Sequence, residues 1–213
     1  PALEISLFSI IQAAGWPVWP LLFCSVMALA LILERFYSLR ARHVAPPQLL
    51  EEVLTACKTQ LPSAETIEKI AQHSVLGELL ASGLQLKRLE PHCSEEALRF
   101  QLESTGRTLA HRLERFLPAL ATIASAAPLL GLLGTVIGMI EIFGAQTPGS
   151  NQPAQLAHGI SVALYNTALG LLIAIPTLIA WRYLRTCVDG YVLALELAGE
   201  RLAQHLLRLP AKP

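Results

Sequence analysis

Residues 116–140 read FLPALATIASAAPLLGLLGTVIGMI, and these 25 residues include no Asp, Glu, Lys or Arg. A helix needs roughly 20 apolar residues to cross a bilayer, so this stretch is long enough to do so. Two further stretches without these charges, 5–33 and 142–181, are longer still. The whole chain is 53% hydrophobic and 15% charged, whereas a typical soluble domain is about 25% charged. These features predict an integral membrane protein.

The uncharged stretches divide into three predicted transmembrane helices. The 142–181 stretch is too long for one helix and contains QTPGSNQP at 146–153, where Pro-Gly and Asn are turn signals. Trp16 and Trp19 stand at the start of the first helix, and tryptophan favours the membrane interface. The predicted spans are 16–36, 116–144 and 157–182.

The positive charges predict the orientation of these helices. All sixteen Lys and Arg residues follow residue 34, and none lies between residues 117 and 181. The side of a membrane rich in Lys and Arg is the cytoplasmic side. We therefore predict that 1–15 and 145–156 are periplasmic and that 37–115 and 183–213 are cytoplasmic.

The predicted cytoplasmic segments have helical patterns. Apolar spacing predicts a helix over 48–60 and another over about 75–89. Ser63 and Ser94 are each followed by acidic residues, which is typical of a helix N-terminus.

Long helices are predicted to connect these segments with the membrane. No helix breaker follows Ser94 until Pro118, which predicts one helix over 94–143 with Pro118 and Pro128 as bends. The third span is predicted to continue to about residue 207. The expected fold is therefore all-α, with three spans, of which the second and third extend far into the cytoplasm, plus short cytoplasmic helices.

Small residues recur along one face of each of the last two spans. Helices in lipid approach closely where such residues align. The two faces predict close packing, within a subunit or between subunits, and the glycines expected to allow it are Gly131, Gly134, Gly138, Gly159 and Gly170.

Polar residues in the same spans are candidates for a proton pathway. At 1.5 Å per residue, Thr135 and Thr167 lie at comparable depths, roughly 22–29 Å from the inner interface. Asn166, Ser161 and Glu141 belong to the same outer half. A hydroxyl in a span commonly bonds its own helix backbone, and the alternative is a polar lining for a pore. Glu141 is the only acid between residues 116 and 181, and an intramembrane carboxyl is a functional candidate.

Two segments carry a family resemblance. They are AAPLLGLLGTVIG at 126–138 and GISVALYNTALGLLIAIP at 159–176. Both are similar to segments of the MotA/TolQ/ExbB proton-channel family, and the similarity to ExbB and TolQ is greatest. The predicted spans and the large inner segment also match this family.

The resemblance implies a homopentamer in the bacterial inner membrane. The ring would enclose a dimer of a single-span ExbD- or TolR-like partner, which carries a membrane aspartate. Thr135 and Thr167 match the family's pore threonines. Proton flow would turn the partner and pass work to a TonB- or TolA-like protein.

One position departs from the family pattern. ExbB and TolQ have a glutamate where this chain has Val162 in GISVAL at 159–164. We hypothesise that Glu141 partly substitutes for it.

Other classes of function have weaker support. Zero net charge argues against a nucleic-acid partner. No Ser–His or HExxH arrangement lies in the spans, so we expect neither an enzyme nor a metal or other cofactor. A helical scaffold, in which the small-residue faces serve assembly alone, and a TolQ-like role in envelope integrity stay open. Arginines next to the spans are expected to contact lipid headgroups, namely Arg112, Arg115, Arg182 and Arg185.

Overall fold

The computed structural model describes residues 16–59, 61–144 and 153–208. These residues form eight helices and no strand. The helices are α1 (Val18–Ser38), α2 (Ala41–Val44), α3 (Leu49–Thr59), α4 (Ala64–His73), α5 (Val75–Leu89), α6 (Glu95–Glu114), α7 (Leu117–Gly144) and α8 (Pro153–Arg208). The predicted segment 1–15 and most of the predicted 145–156 loop lie outside the described residues.

The all-α membrane fold is confirmed. Three helical stretches are long and apolar enough to cross a membrane, over Val18–Ser38, Glu95–Gly144 and Gly159–Arg208. The third belongs to α8, a single helix of 56 residues that extends about 84 Å at 1.5 Å per residue. In the sequence, the short helices α2 to α5 follow the first stretch and precede the second.

The predicted single helix over 94–143 is wrong in one respect. The chain leaves the α-helical pattern at residues 115–116, so that α6 and α7 are separate helices. The physical reason is Pro118, whose ring nitrogen carries no hydrogen to donate to the carbonyl of Glu114. Pro128 lies inside α7 without ending it.

Serine side chains start three of the helices. The Oγ atoms of Ser63 and Ser94 accept hydrogen bonds from Thr66 N at 3.2 Å and Ala97 N at 3.1 Å, which confirms both predicted N-termini. Ser74 Oγ accepts from Gly77 N at 3.0 Å at the start of α5. Each cap satisfies a backbone donor that has no partner within its helix.

The chain divides into two compact units that each consist of separate sequence segments. The apolar unit comprises the described residues up to Glu34 together with those from Phe116 to Arg182. The charged unit comprises Arg35–Arg115 and the described residues from Tyr183 onward.

The charged unit is a helical bundle with leucine at its centre. Leu80 and Leu84 of α5, Leu98 of α6 and Leu206 of α8 are fully buried. Burial of a leucine side chain typically contributes about 1.5–3 kcal/mol, so apolar packing is the main stabilising term of this unit.

A surface ion pair joins α6 to α8 in this unit. Arg99 donates to both carboxylate oxygens of Glu200, and Arg99 Nη2 lies 2.9 Å from Glu200 Oε1. A hydrogen bond from Gln204 and the nearby Arg99 lower the pKa of Glu200. Because the pKa falls on folding, any stabilisation is present at neutral pH and is lost as the pH falls through the folded-state value.

Arg35 is a buried charge that the sequence analysis did not single out. Its side chain is only 5% exposed, and its Nη1 donates to the carbonyl of Leu113 at 3.2 Å. Leu113 lies in the last turn of α6, where carbonyls lack partners within the helix and the helix dipole favours a cation. Arg35 therefore caps α6 next to the interruption at residues 115–116.

Candidate functional site

Helices α7 and α8 make a backbone-to-backbone contact in the apolar unit. A Cβ atom on Gly170 would lie 2.6 Å from the carbonyl oxygen of Ala127, and one on Gly131 would lie 2.8 Å from that of Asn166. Real Cβ atoms do not approach an oxygen so closely. Any residue type with a Cβ atom would obstruct this contact, and the two glycines therefore permit it. Close approach at glycine is expected for helices that associate in lipid.

The two predicted small-residue faces pack against each other within one subunit. Ala124, Ala127, Gly131 and Gly134 are the buried members on α7. Ala163, Gly170 and Ala174 are buried on α8. Leu21 of α1 is buried in a cluster with Ala127 and Ala174, so all three apolar helices meet there.

The outer two glycines of these faces are less confined by backbone. A Cβ atom on Gly138 would lie 3.6 Å from that of Ala163, which is an ordinary contact. A Cβ atom on Gly159 would overlap the side chain of Ile142, whose Cδ1 would be 2.1 Å away. Close backbone approach is therefore confined to the middle of the contact, around Gly131 and Gly170.

Asn166 lies inside this contact and is only 1% exposed. A Cβ atom on Gly134 would stand 2.8 Å from Asn166 Cβ, so Gly134 provides the space that Asn166 fills. The structure thus places Asn166 between two helices of one subunit. The four other predicted pathway residues are more accessible: Thr135 and Thr167 are half-buried, and Ser161 and Glu141 are exposed.

The two threonines lie at the same level on neighbouring helices. Thr167 Oγ1 donates to the carbonyl oxygen of Gly131 across the contact at 3.4 Å. In α7 that carbonyl also accepts the backbone N–H of residue 135, because an α-helix pairs residues four apart. One carbonyl group therefore connects the positions of Thr135 and Thr167.

The hydroxyl groups of the two threonines differ in how firmly they are held. Thr135 Oγ1 donates to Leu132 O within its own helix at 2.7 Å. The 3.4 Å bond of Thr167 lies beyond the usual range for an O–H donor, which is 2.5–3.0 Å. The hydroxyl proton of Thr167 is therefore the easier one to redirect to another acceptor.

Ser161 lies near the N-terminal end of α8, and Glu141 lies near the C-terminal end of α7. Ser161 Oγ donates to Ala157 O within α8 at 2.9 Å. Glu141 is in the last turn of α7, about 36 Å along the axis from Leu117 at 1.5 Å per residue. That distance exceeds the roughly 30 Å thickness of the hydrocarbon core, so a span that began at Leu117 would bring this carboxyl to the opposite interface.

Two of the four arginines predicted to contact lipid have carboxylate partners. Arg112 pairs with Glu78 at 2.5 Å, and Arg185 pairs with Glu114 at 3.0 Å and Asp189 at 3.1 Å. These pairs lie within the charged unit and engage the guanidinium groups. Arg115 and Arg182 also have partners, so the structure singles out none of the four as a free lipid ligand.

The charged unit also contains an open groove of about 430 Å³ between α6 and α8. Small residues are part of its lining, including Gly106, Ala110, Gly199 and Ala203. Charged residues also line it, among them Arg99, Glu103 and Glu196. Within the described part of the chain, no group of three or more His, Cys, Asp or Glu residues is arranged to hold a metal ion.

Comparison with known proteins identifies the family. Residues 71–197 match the profile of the MotA/TolQ/ExbB proton channel family. The chain is 36% identical to the putative biopolymer transport protein ExbB-like 1 of Synechocystis sp., over 80% of this chain and 67% of that protein. It is 34% identical to biopolymer transport protein exbB1 of Vibrio cholerae, over 90% of this chain and 84% of that protein.

The chain therefore belongs to the MotA/TolQ/ExbB proton channel family, and it is a multi-pass protein of the inner membrane. A Tol-Pal system protein TolQ, from Haemophilus influenzae, is 34% identical over 50% of this chain and 48% of that protein. Because the two ExbB-named relatives above match 80% and 90% of the chain, the comparisons support an ExbB-type subunit over a TolQ-type one.

Proposed function

We propose that this chain forms the ring of a proton-driven motor in the inner membrane. Five copies surround two single-span helices of an ExbD-like partner, and residues 1–15 face the periplasm. Proton flow through the partner's carboxyl group does work on a TonB-like protein and energises transport across the outer membrane. The proposal assigns the chain no enzymatic activity and no cofactor.

The observation that carries this proposal is the pair of threonines at one level of a close helix contact. A carboxylate that enters the membrane must find hydrogen-bond donors when charged and must be released when neutral. Threonine hydroxyls provide donors without a fixed countercharge. One charge that crosses the membrane field gains about 2.3 kcal/mol per 100 mV, which is enough to drive a motion between shallow minima.

The apolar unit exposes large apolar side chains, which supports its placement in lipid beside other subunits. Trp19, Phe23 and Val26 of α1 and Leu129 and Ile140 of α7 are each more than half exposed in the single chain. Soluble monomers rarely expose large contiguous apolar surface. Lipid and neighbouring subunits are expected to cover it.

The stoichiometry gives the first test of this proposal. The detergent-extracted protein, co-expressed with a single-span partner that carries a membrane aspartate, should have the native mass of five copies with two of the partner. Native mass spectrometry measures this directly. A monomer or dimer that never retains the partner would contradict the ring and leave the scaffold interpretation.

Glu141 gives a second test. Glu141→Gln keeps the shape of the side chain and removes its charge, so we expect lower proton-driven uptake if this carboxyl replaces the glutamate missing at Val162. The loss should be smaller than that caused by Thr167→Val, because Glu141 is exposed at the end of α7. Uptake measured in cells tests whether the carboxyl group contributes, and Glu141→Asp is the control because it keeps a carboxyl group. Normal uptake with Glu141→Gln would remove this residue from the pathway.

A further inference from the structure

The junction that follows α1 concentrates basic side chains without acidic partners. Arg40 and Arg42 are both exposed, and neither forms an ion pair within the described ranges of the chain. By contrast, Arg99, Arg107 and Arg112 of α6 all have carboxylate partners. The two positive charges of the junction are therefore available to an external anion.

Aromatic side chains stand next to these charges. The guanidinium carbon of Arg40 lies 5.3 Å from the ring centroid of Tyr37, which is within the range of a cation–π interaction. The His43 ring lies 5.9 Å from the same Tyr37 ring. Tyr37 and Phe36 are 64% and 46% exposed, so apolar and basic surface adjoin one another.

The backbone of the junction is held in place on both sides of the arginines. Leu39 and Val44 are buried in the charged unit. Tyr191 donates its hydroxyl to the carbonyl of Leu39 at 2.9 Å, which ties the junction to α8. The Phe36 ring also stacks on that of Tyr183, with centroids 5.7 Å apart. The site is therefore preorganised, and binding would require little ordering of the backbone.

We propose that Tyr37, Arg40, Arg42 and His43 form a binding site for the phosphate headgroup of an anionic phospholipid. The site follows directly on an apolar helix long enough to cross the bilayer, where the exposed rings meet acyl chains and the guanidinium groups meet phosphate. Arginine suits this role because its planar group donates two parallel hydrogen bonds to one phosphate. The inference requires only that the chain lies in a membrane, so it stands apart from the proposed motor function.

Lipid retention tests the site. The purified full-length protein is incubated with phosphatidylglycerol or with phosphatidylcholine, and the lipids retained are counted by native mass spectrometry. The Arg40→Gln/Arg42→Gln variant should bind phosphatidylglycerol about 25-fold more weakly, at about fivefold for each arginine. Its binding of phosphatidylcholine should not change.

A matched control removes two positive charges elsewhere in the same unit. Lys69 and Arg107 are highly exposed, and each pairs with a glutamate one turn away on its own helix, at 2.7 Å. The Lys69→Gln/Arg107→Gln variant should bind phosphatidylglycerol as the unmodified protein does. Circular dichroism establishes that both variants keep their helical content.

Two outcomes would overturn the site. The first is unchanged phosphatidylglycerol retention in the Arg40→Gln/Arg42→Gln variant, or an equal loss in the control variant. The second is displacement of phosphatidylglycerol by millimolar inorganic phosphate, which would identify a site for free phosphate rather than for lipid.

Discussion

Replacement of Thr167 by valine is expected to abolish most proton-driven output while the complex still assembles. Valine has nearly the shape of threonine, so the packing of α8 on α7 is preserved. The bond that it removes, from Thr167 Oγ1 to Gly131 O, is long at 3.4 Å and contributes little to stability. The hydroxyl contributes more free energy when it donates to a charged carboxyl, because hydrogen bonds to charged groups contribute about 1.5–3 kcal/mol.

A loss of that size corresponds to about a 13- to 160-fold lower rate. Uptake energised by the proton gradient measures it, and native mass confirms assembly. Thr167→Ser keeps the hydroxyl and should retain most of the activity. Thr122→Val is the matched control, since Thr122 is exposed on α7 and its hydroxyl donates only to Pro118 O of its own helix in the described structure. Wild-type uptake with Thr167→Val would exclude Thr167 from the pathway.

Replacement of Gly170 by alanine is expected to separate α7 from α8. The added methyl group would lie 2.6 Å from the carbonyl oxygen of Ala127 and 3.2 Å from Gly131 Cα. Both are backbone atoms, so no side chain can rotate away and one helix must shift. Overpacking of this kind typically costs about 1–3 kcal/mol, and the shift would also break the alignment of the two threonines.

The Gly190→Ala variant provides the control for this prediction because it introduces the same methyl group in the same helix. A Cβ atom on Gly190 has no neighbour within 4 Å, and alanine favours helix by about 1 kcal/mol over glycine. We expect a lower melting temperature and less assembled complex for Gly170→Ala, and an equal or higher melting temperature for Gly190→Ala. Equal behaviour of the two variants would contradict the close contact.

Features that depend on neighbouring residues in sequence could be predicted from the sequence. Ser63 and Ser94 act as caps because a serine hydroxyl reaches the N–H three residues ahead, whatever the rest of the fold does. The common depth of Thr135 and Thr167 follows from helix rise alone. The hydrogen bond from Thr167 to Gly131 O agrees with it.

Features that depend on how two helices rotate against each other could not be predicted in the same way. Asn166 was predicted to belong to the proton pathway, and only the position of α7 places it inside the contact. Arg112 stands near a span in sequence, yet its partner Glu78 is 34 residues away on another helix. In the sequence, Arg35 is one of the first charged residues after the uncharged stretch 5–33. In the structure it caps α6 by donating to the carbonyl of Leu113.

The division of the charged unit into two sequence segments has a consequence for biogenesis. The ribosome makes α5 and α6 before α7 and the apolar part of α8, and it makes the part of α8 that contacts Leu79 and Gly83 last. At about 5–20 residues per second, roughly 5–20 s separate the synthesis of Glu114 from that of Leu206. During this time the leucine surface of α5 and α6 lacks its cover from α8, and the bundle closes only after α7 and the apolar part of α8 have been synthesised.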